Sequence, residues 1–427
     1  IISMRLNWKA WPPVLLGVMI MVSISCSREK IHLFQDGKSD YEIVISGEAD
    51  SITRWAANEF QKYFALATGV KLAIVGDERP ESEKEIVIGR SSRTKELENE
   101  LNRLNEDGFL IRTRGEKVII AGGSKKGSLY GVYTFLEDYL GCRKFSHEVE
   151  HIPQLSALSI AGIDVVIEPC FDYRELHMPM AIRSAHYRDW HKLDVKEGEN
   201  EWGLFVHTFD DFIPPQDFFK SHPEYFSFLN VKRIPDGQLC LSNPEVYRIV
   251  VDSLRAGMNR KPDALYWSVS QNDTYKPCEC EPCREEYKLY GGYSGAMIHF
   301  VNRIASEFPD KVISTLAYQY TRSAPANIKP ADNVNIMFCS IECNRSLSLA
   351  TDSSSASFRK DTEDWCKLTG NIFMWDYVVQ FRNLVSPFPN LRVLQPNIQY
   401  FRDNGMKMMF QQGSGGLMSE FVELRAY

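Results

Sequence analysis

The chain has 427 residues, 44% hydrophobic and 25% charged, ordinary globular proportions that exclude a disordered chain. Its 26 glycines and 20 prolines follow no Gly-X-Y period, which excludes a collagen-like fibre. A net charge of -7 argues against a nucleic-acid partner, because binding phosphates needs a basic surface.

The first segment reads as an export signal. Met4 is taken as the start; Arg5 and Lys9 precede an apolar run from Val14 to Ile24, then Ser25-Cys26-Ser27. That run is too short for a membrane span, which takes about 20 residues. The cut site at Cys26 resembles a bacterial lipobox, with Ser23 standing where a branched apolar residue is usual. The resemblance implies that Cys26, at the end of a signal segment read as residues 4–26, is lipidated and becomes the first residue of the mature protein. The expected location is a periplasmic or cell-surface lipoprotein that meets the membrane only through its anchor. At the other end, Glu423 to Tyr427 stops in a helical pattern with no cap, so the sequence is expected to be a fragment truncated on that side.

Residues 30–162 alternate strand and helix signals. Tyr41 to Ile45 reads as a strand, and Asp50 or Ser51 caps a helix ended by Gly69. Leu72 to Val75 and Glu85 to Ile88 are short strands, followed by a polar helix from Thr94 to about Leu104. Phe109 to Thr113 and Lys117 to Ala121 pair across Arg114-Gly115-Glu116 as a hairpin. A second helix runs from Gly127 to Leu140 and stops at Gly141. None of these segments ends in a cluster of titratable groups, so the domain is expected to be accessory.

The run Lys126-Gly127-Ser128-Leu129-Tyr130-Gly131-Val132-Tyr133-Thr134-Phe135-Leu136-Glu137, then Leu140-Gly141-Cys142-Arg143, resembles the N-terminal domain of family 67 α-glucuronidases and family 20 hexosaminidases. In those enzymes the domain precedes a catalytic barrel.

Residues 165–427 show the rhythm of parallel βα units, predicting an α/β fold with a (β/α)8 TIM-like barrel. Strands are expected at Phe171–His177, Leu204–Thr208, Ala264–Ser270, Val312–Tyr318, Val334–Ser340, Ile372–Trp375 and Met406–Phe410. An eighth belongs between His177 and Trp202. Helices are expected at Pro244–Met258, Gly295–Phe308, Phe358–Leu368 and Leu391–Asn404. A doubly wound open sheet is the alternative, though no glycine-rich phosphate loop follows the first strand.

In a barrel the chemistry sits at the C-terminal ends of the strands. Those ends carry Asp273, Glu342 and Asp376, and period-2 alternation puts each on one face with the apolar residues before it. Three carboxylates converging on one mouth suit glycoside hydrolysis, in which one protonates the leaving oxygen and another activates water or attacks. Taken singly, each acid is as well read as a loop cap or ion-pair partner. Arg174, His207, Asn272, Tyr318, Trp375, Tyr377 and Gln411 are the nearby candidates for binding a sugar.

The tract His222-Pro223-Glu224-Tyr225-Phe226, then Gln238-Leu239-Cys240-Leu241-Ser242-Asn243-Pro244, then Ser270-Gln271-Asn272-Asp273 and Cys278-Glu279-Cys280-Glu281-Pro282-Cys283, closely resembles the bacterial family called domain of unknown function 4838. That family has a glycoside-hydrolase-like barrel. Through the related α-glucuronidases the resemblance implies that Asp273 is the acid and that Glu342 and Asp376 are the paired base carboxylates. Likeness to family 20 implies that Arg174 binds sugar hydroxyls. Family 20 has Asp-Glu where this chain has Asn272-Asp273, which argues against substrate-assisted hexosaminidase chemistry.

Cys278, Cys280 and Cys283 can supply three thiolates to a structural zinc, which prefers four ligands. The fourth would have to come from a distance, from His207, Cys240 or His299. A disulfide plus a free thiol, or three reduced thiols, are the alternatives. Cys142, Cys170, Cys240, Cys339, Cys343 and Cys366 read as scattered buried thiols.

The expected function is an exported glycoside hydrolase on a glycan, α-glucuronidase-like, needing no cofactor beyond that structural zinc. A non-catalytic glycan-binding lipoprotein is the alternative, and a zinc-dependent hydrolase at the cysteine loop is a third reading.

Overall fold

The computed structural model describes residues 30–194, 201–384 and 388–415. The signal segment with Cys26, and the terminal stretch from 416 onward, lie outside the described residues.

The N-terminal sheet has six strands, in the order Asp164–Ile167, Phe109–Arg114, Lys117–Gly122, Glu85–Ile88, Glu42–Ile45, Ile74–Gly76. Alternation splits its side chains between two layers. Ile43, Ile86, Ile88, Phe109, Ile111 and Ile120 pack under the helices Ser51–Thr68 and Gly127–Asp138. Val44, Val87, Leu110 and Ile119 pack on the other face with Leu97 and Leu101. The first helix begins where Asp50 accepts from the Thr53 N–H at 2.6 Å and ends at Gly69 in the left-handed region, φ 78°. A Cβ at Gly131 would lie 2.7 Å from Ile120 Cγ2, so that glycine seats the second helix directly on the sheet. The polar helix expected from Thr94 is instead a 3-10 turn, Ser92–Leu97, and one short α-turn, Glu98–Leu101.

The second domain is built on seven parallel strands: β1 Tyr173–His177, β2 Trp202–Leu204, β3 Tyr266–Ser268, β4 Val312–Ala317, β5 Val334–Cys339, β6 Ile372–Tyr377 and β7 Met408–Gln412. Their order is β1-β7-β6-β5-β4-β3-β2, so the sheet curls until the first strand lies beside the last. One face packs outward: Val334, Ile336, Phe338, Ile372 and Met374 meet Phe358, Trp365 and Phe401 of the surrounding helices. The other face fills the inside of the curl with Tyr173, Trp202, Leu316, Met337, Cys339, Phe373, Tyr377, Met408 and Phe410.

One strand expectation is corrected here. The strand read at Leu204–Thr208 ends at Leu204, because the chain turns there and Thr208 begins a short helical turn, Phe209–Phe212. Of the stretch between His177 and Trp202, where an eighth strand is expected, Asp194 makes one parallel bridge with Glu175, and residues 195–200 lie outside the described residues. A helix at Glu281–Tyr290, straight after the cysteine loop, went unread because it is short and half of its residues are charged.

The segment after β1 ties the domains together. Trp190 is buried between Tyr63 and Tyr133 of the N-terminal domain, at centroid distances of 5.0 and 4.8 Å, and donates to Glu137 at 2.7 Å. His186 lies 2.8 Å from Glu59.

Candidate active site

The C-terminal ends of β3, β4 and β5 form a mouth. Asp273 follows β3 and is exposed; Tyr318 donates to its Oδ1 at 3.0 Å and Gln319 Nε2 at 3.1 Å. Burial, then the charge of Asp273, pushes the Tyr318 hydroxyl above its ordinary pKa, so it stays a proton donor. Gln319 holds φ at +53°, unusual for a side chain other than glycine, and this aims its amide at Asp273.

Glu342 follows β5 and is also exposed, with Arg322 Nη1 at 3.3 Å from its Oε2. The Arg322 Nε is held in turn by Asp361 at 2.8 Å. The inward thiol of Cys339 registers both acids: burial chiefly raises it, and Glu342 and Asp273 push the same way. His207 sits beside this group, its Nδ1 at 2.6 Å from the Gln271 carbonyl and its ring 6.0 Å from that of Tyr318. Trp375 and Tyr377 continue the wall from β6.

Asp376 does not join the mouth. The expected alternation is present, but its strand-mates Ile372 and Met374 face the helices, so Asp376 lies one layer behind. There it is enclosed, accepting from Ser340 Oγ at 2.6 Å and from Gln411 Nε2 at 3.2 Å. Burial raises its pKa, against the bonds from Ser340, the Tyr377 N–H and Gln411. Gln411, read as a hydroxyl partner, is therefore spent on Asp376, and the residue of β7 on the inward face is Gln412, which accepts from Trp375 Nε1 at 2.8 Å.

Arg174 also lies elsewhere. Its guanidinium points to the domain seam, with Nη2 at 2.6 Å from Asp107, Nη1 at 2.6 Å from the Phe171 carbonyl and Nε at 2.7 Å from the Lys192 carbonyl. On the same strand the inward residues are Tyr173, Glu175 and His177. Tyr173 donates to Glu175, which is buried, and His177 packs on Phe410 at 5.4 Å. Sequence reading passed over His177, although alternation from Tyr173 selects it. Asn272 serves the loop, its amide donating to Asp210 at 2.8 Å and to the Gly237 carbonyl at 3.0 Å. Arg322 and Gln319 were also missed; a charged residue soon after a strand end could have flagged Arg322, whereas nothing in the sequence announces the φ of Gln319.

Of the three residues named as a distant fourth ligand, Cys240 is the one that joins the cysteine loop. Cys240 is not scattered: its Sγ and those of Cys278, Cys280 and Cys283 all lie within 4.8 Å of one another. Cys170, read as buried, is exposed.

Fold and mouth define a two-domain α/β protein whose curled parallel sheet presents carboxylates at its C-terminal edge. The chain belongs to the family described as Domain of unknown function (DUF4838), whose model matches residues 144–427. Residues 26–135 match the Glycosyl hydrolase family 67 N-terminus. Both are the families that the sequence motifs resemble. No curated protein matches the chain. Among solved structures it is similar to the β-N-acetylhexosaminidase from Bacteroides fragilis NCTC 9343, with a TM-score of 0.45 and 10% identity over 94% of this chain and 88% of that one. It is similar to the family GH115 4-O-methyl-α-glucuronidase BtGH115A, with specificity for decorated arabinogalactans, with a TM-score of 0.45 and 10% identity over 91% of this chain and 56% of that one. A third is the GH20 exo β-N-acetylglucosaminidase from Vibrio harveyi, with a TM-score of 0.45 and 10% identity over 94% of this chain and 71% of that one.

Proposed function

We propose that this chain is a glycoside hydrolase acting on a glycan, α-glucuronidase-like, with its sheet forming a (β/α)8 barrel. The observation that carries the reading is the pair of exposed carboxylates, Asp273 and Glu342, at the C-terminal ends of β3 and β5. Tyr318 and Trp375 beside them are partly exposed and offer ring faces to a pyranose, whereas Tyr377 is buried behind them. The match of residues 26–135 to a glycosyl hydrolase N-terminus supports the same class.

Asp273 gives its proton to the glycosidic oxygen as the bond to the anomeric carbon breaks. Glu342 takes a proton from the water that attacks that carbon, so each carboxyl ends in the other's starting state. Tyr318 and Gln319 fix the acid, and Arg322 fixes the base. Asp376 acts one step removed, holding Ser340, two residues before Glu342. Attack by water predicts inversion at the anomeric carbon.

The test is a screen of the full chain against polysaccharides and aryl glycosides, with Asp273→Asn and Glu342→Gln alongside. Each variant is expected to slow sugar release by about 10²–10⁴-fold, the range for losing a general acid or base. Release unchanged in Asp273→Asn would remove it as the acid, and NMR of the first anomer released tests inversion. No release on any substrate, with glycan-array binding intact, would make the chain a non-catalytic glycan binder. Export and acylation at Cys26 are part of the proposal, and palmitate labelling that survives Cys26→Ser would refute the anchor.

A further inference from the structure

We propose that Cys240, Cys278, Cys280 and Cys283 hold a structural zinc ion that clamps the loop carrying Asp273. Two segments distant in sequence supply the sulfurs. Cys240 precedes the helix Pro244–Arg260, Cys278 and Cys280 lie in the loop after β3, and Cys283 sits in the first turn of the helix Glu281–Tyr290.

The spacing suits one shared centre. Cys240 Sγ lies 3.6 Å from Cys280 Sγ and 3.8 Å from Cys283 Sγ. A tetrahedral zinc with bonds of ~2.3 Å puts its sulfurs about 3.8 Å apart, whereas a disulfide needs ~2.05 Å. Among the described residues no other group of three or more His, Cys, Asp and Glu side chains is drawn together in this way.

The surroundings favour thiolates. The Phe228 N–H points to Cys278 Sγ at 3.4 Å and Arg233 Nη1 at 3.6 Å, while the Ser242 hydroxyl lies 3.1 Å from Cys283 Sγ. Donors aimed at sulfur orient the ligands and offset their charge, as outer partners do around metal sites. Four thiolates on a divalent ion leave a charge of about -2. The Arg233 guanidinium and the N-terminus of the helix beginning at Glu281 oppose that charge. Cys240, Cys278 and Cys283 are buried, and four protein ligands leave no open position, so the role is structural rather than catalytic.

The clamp reaches the mouth through short links. Gln238 Nε2 donates to the carbonyls of Asn272 at 2.9 Å and Thr274 at 2.8 Å, on either side of Asp273. Ser227 Oγ donates to the Lys276 carbonyl at 2.7 Å, and the Glu279 N–H to the Phe228 carbonyl at 2.8 Å. Fixing Cys240 against Cys278 therefore fixes the strap from Ser227 to Cys240 against the Asp273 loop.

The experiment is metal analysis of the purified full chain by inductively coupled plasma mass spectrometry, with mapping of thiols and disulfides on the same sample. One zinc per chain is expected, with all four cysteines released as thiols on denaturation in chelator. Cobalt substitution should give the ligand-field bands of a tetrahedral tetrathiolate. Cys240→Ser should lose the metal, and Cys240→His, which can still supply a fourth ligand, should keep it. Two disulfides among these cysteines in the metal-free wild type would overturn the proposal, as would full zinc retention in Cys240→Ser. The wild-type measurements stand even if Cys240→Ser fails to fold, and none of these readouts depends on hydrolase activity.

Discussion

The domain seam and the mouth are both made of polar groups at the ends of elements, and they use them in opposite ways. At the seam Arg174 is largely enclosed and each guanidinium nitrogen has an oxygen partner, Asp107, Phe171 or Lys192. Trp190 seals the same boundary with its ring buried and its N–H bonded. At the mouth Asp273 and Glu342 each engage one oxygen with neighbouring side chains and stay open to solvent. A saturated polar group can only hold two surfaces together; one with spare capacity can meet a substrate. The difference suits the proposed function, with stability at the first region and chemistry at the second.

Substitutions that should hurt stability at the seam and activity at the mouth put this division at risk. The largest loss is expected from Trp190→Ala, which empties a site lined by Tyr63 and Tyr133 and leaves Glu137 without its donor. It should cost about 3–5 kcal/mol in urea unfolding, with earlier proteolytic cleavage between the domains. Arg174→Met comes next, at about 3 kcal/mol near neutral pH, because it strands Asp107 and Asp194 in the seam. Asp194 is already pushed above its ordinary pKa by burial, with Arg174 opposing the shift. Removing Arg174 raises it further, so the folded variant binds more protons than the unfolded chain and its deficit shrinks as pH falls. A deficit that is flat with pH would mean the lost packing, not the stranded charge, sets it. By contrast, Asp273→Asn and Glu342→Gln should stay within about 0.5 kcal/mol of wild type, as exposed positions do.

Much of this was legible in the sequence, and the parts that were not share a cause. Helix caps at Asp50 and Gly69, the hairpin around Gly115 and six of the seven long-sheet strands follow from local signals that act within a few residues. The side of the sheet that a strand residue faces does not. Alternation put Asp376 with Met374, but only the helices packed against Met374 reveal that this face is the outer one. Arg174 is a like case: its neighbours Tyr173 and Glu175 point inward, so Arg174 faces the seam. Cys240 stands 38 residues before Cys278, and nothing local to it announces a partner. Beyond the strand ends parity lapses altogether, which is why Glu342 is exposed although Phe338 and Ser340 are buried.

The smallest expected effect on activity is the sharpest for the comparison, because Asp376 is a carboxyl near the mouth that is built like the seam. Burial holds its pKa above the ordinary carboxylate range. The folded protein therefore keeps this proton at pH values where the unfolded chain has lost it, and stability falls as pH rises between the two pKa values. Asp376→Asn removes that slope. Gln411 Oε1 has no hydrogen-bond partner among the described residues, so a flip of its amide lets it accept from the new Asn side chain. The variant should lie within about 1 kcal/mol of wild type near neutral pH. Relative to wild type it should gain stability as pH rises, which urea titrations from about pH 4 to 8 would show. If Asp376 only positions Ser340 and the strand before Glu342, sugar release should fall by no more than about tenfold, against the 10²–10⁴-fold expected for Asp273→Asn. An equally deep loss in Asp376→Asn, with stability unchanged, would return Asp376 to the water-activating group and show that enclosure in this structure does not separate support from chemistry.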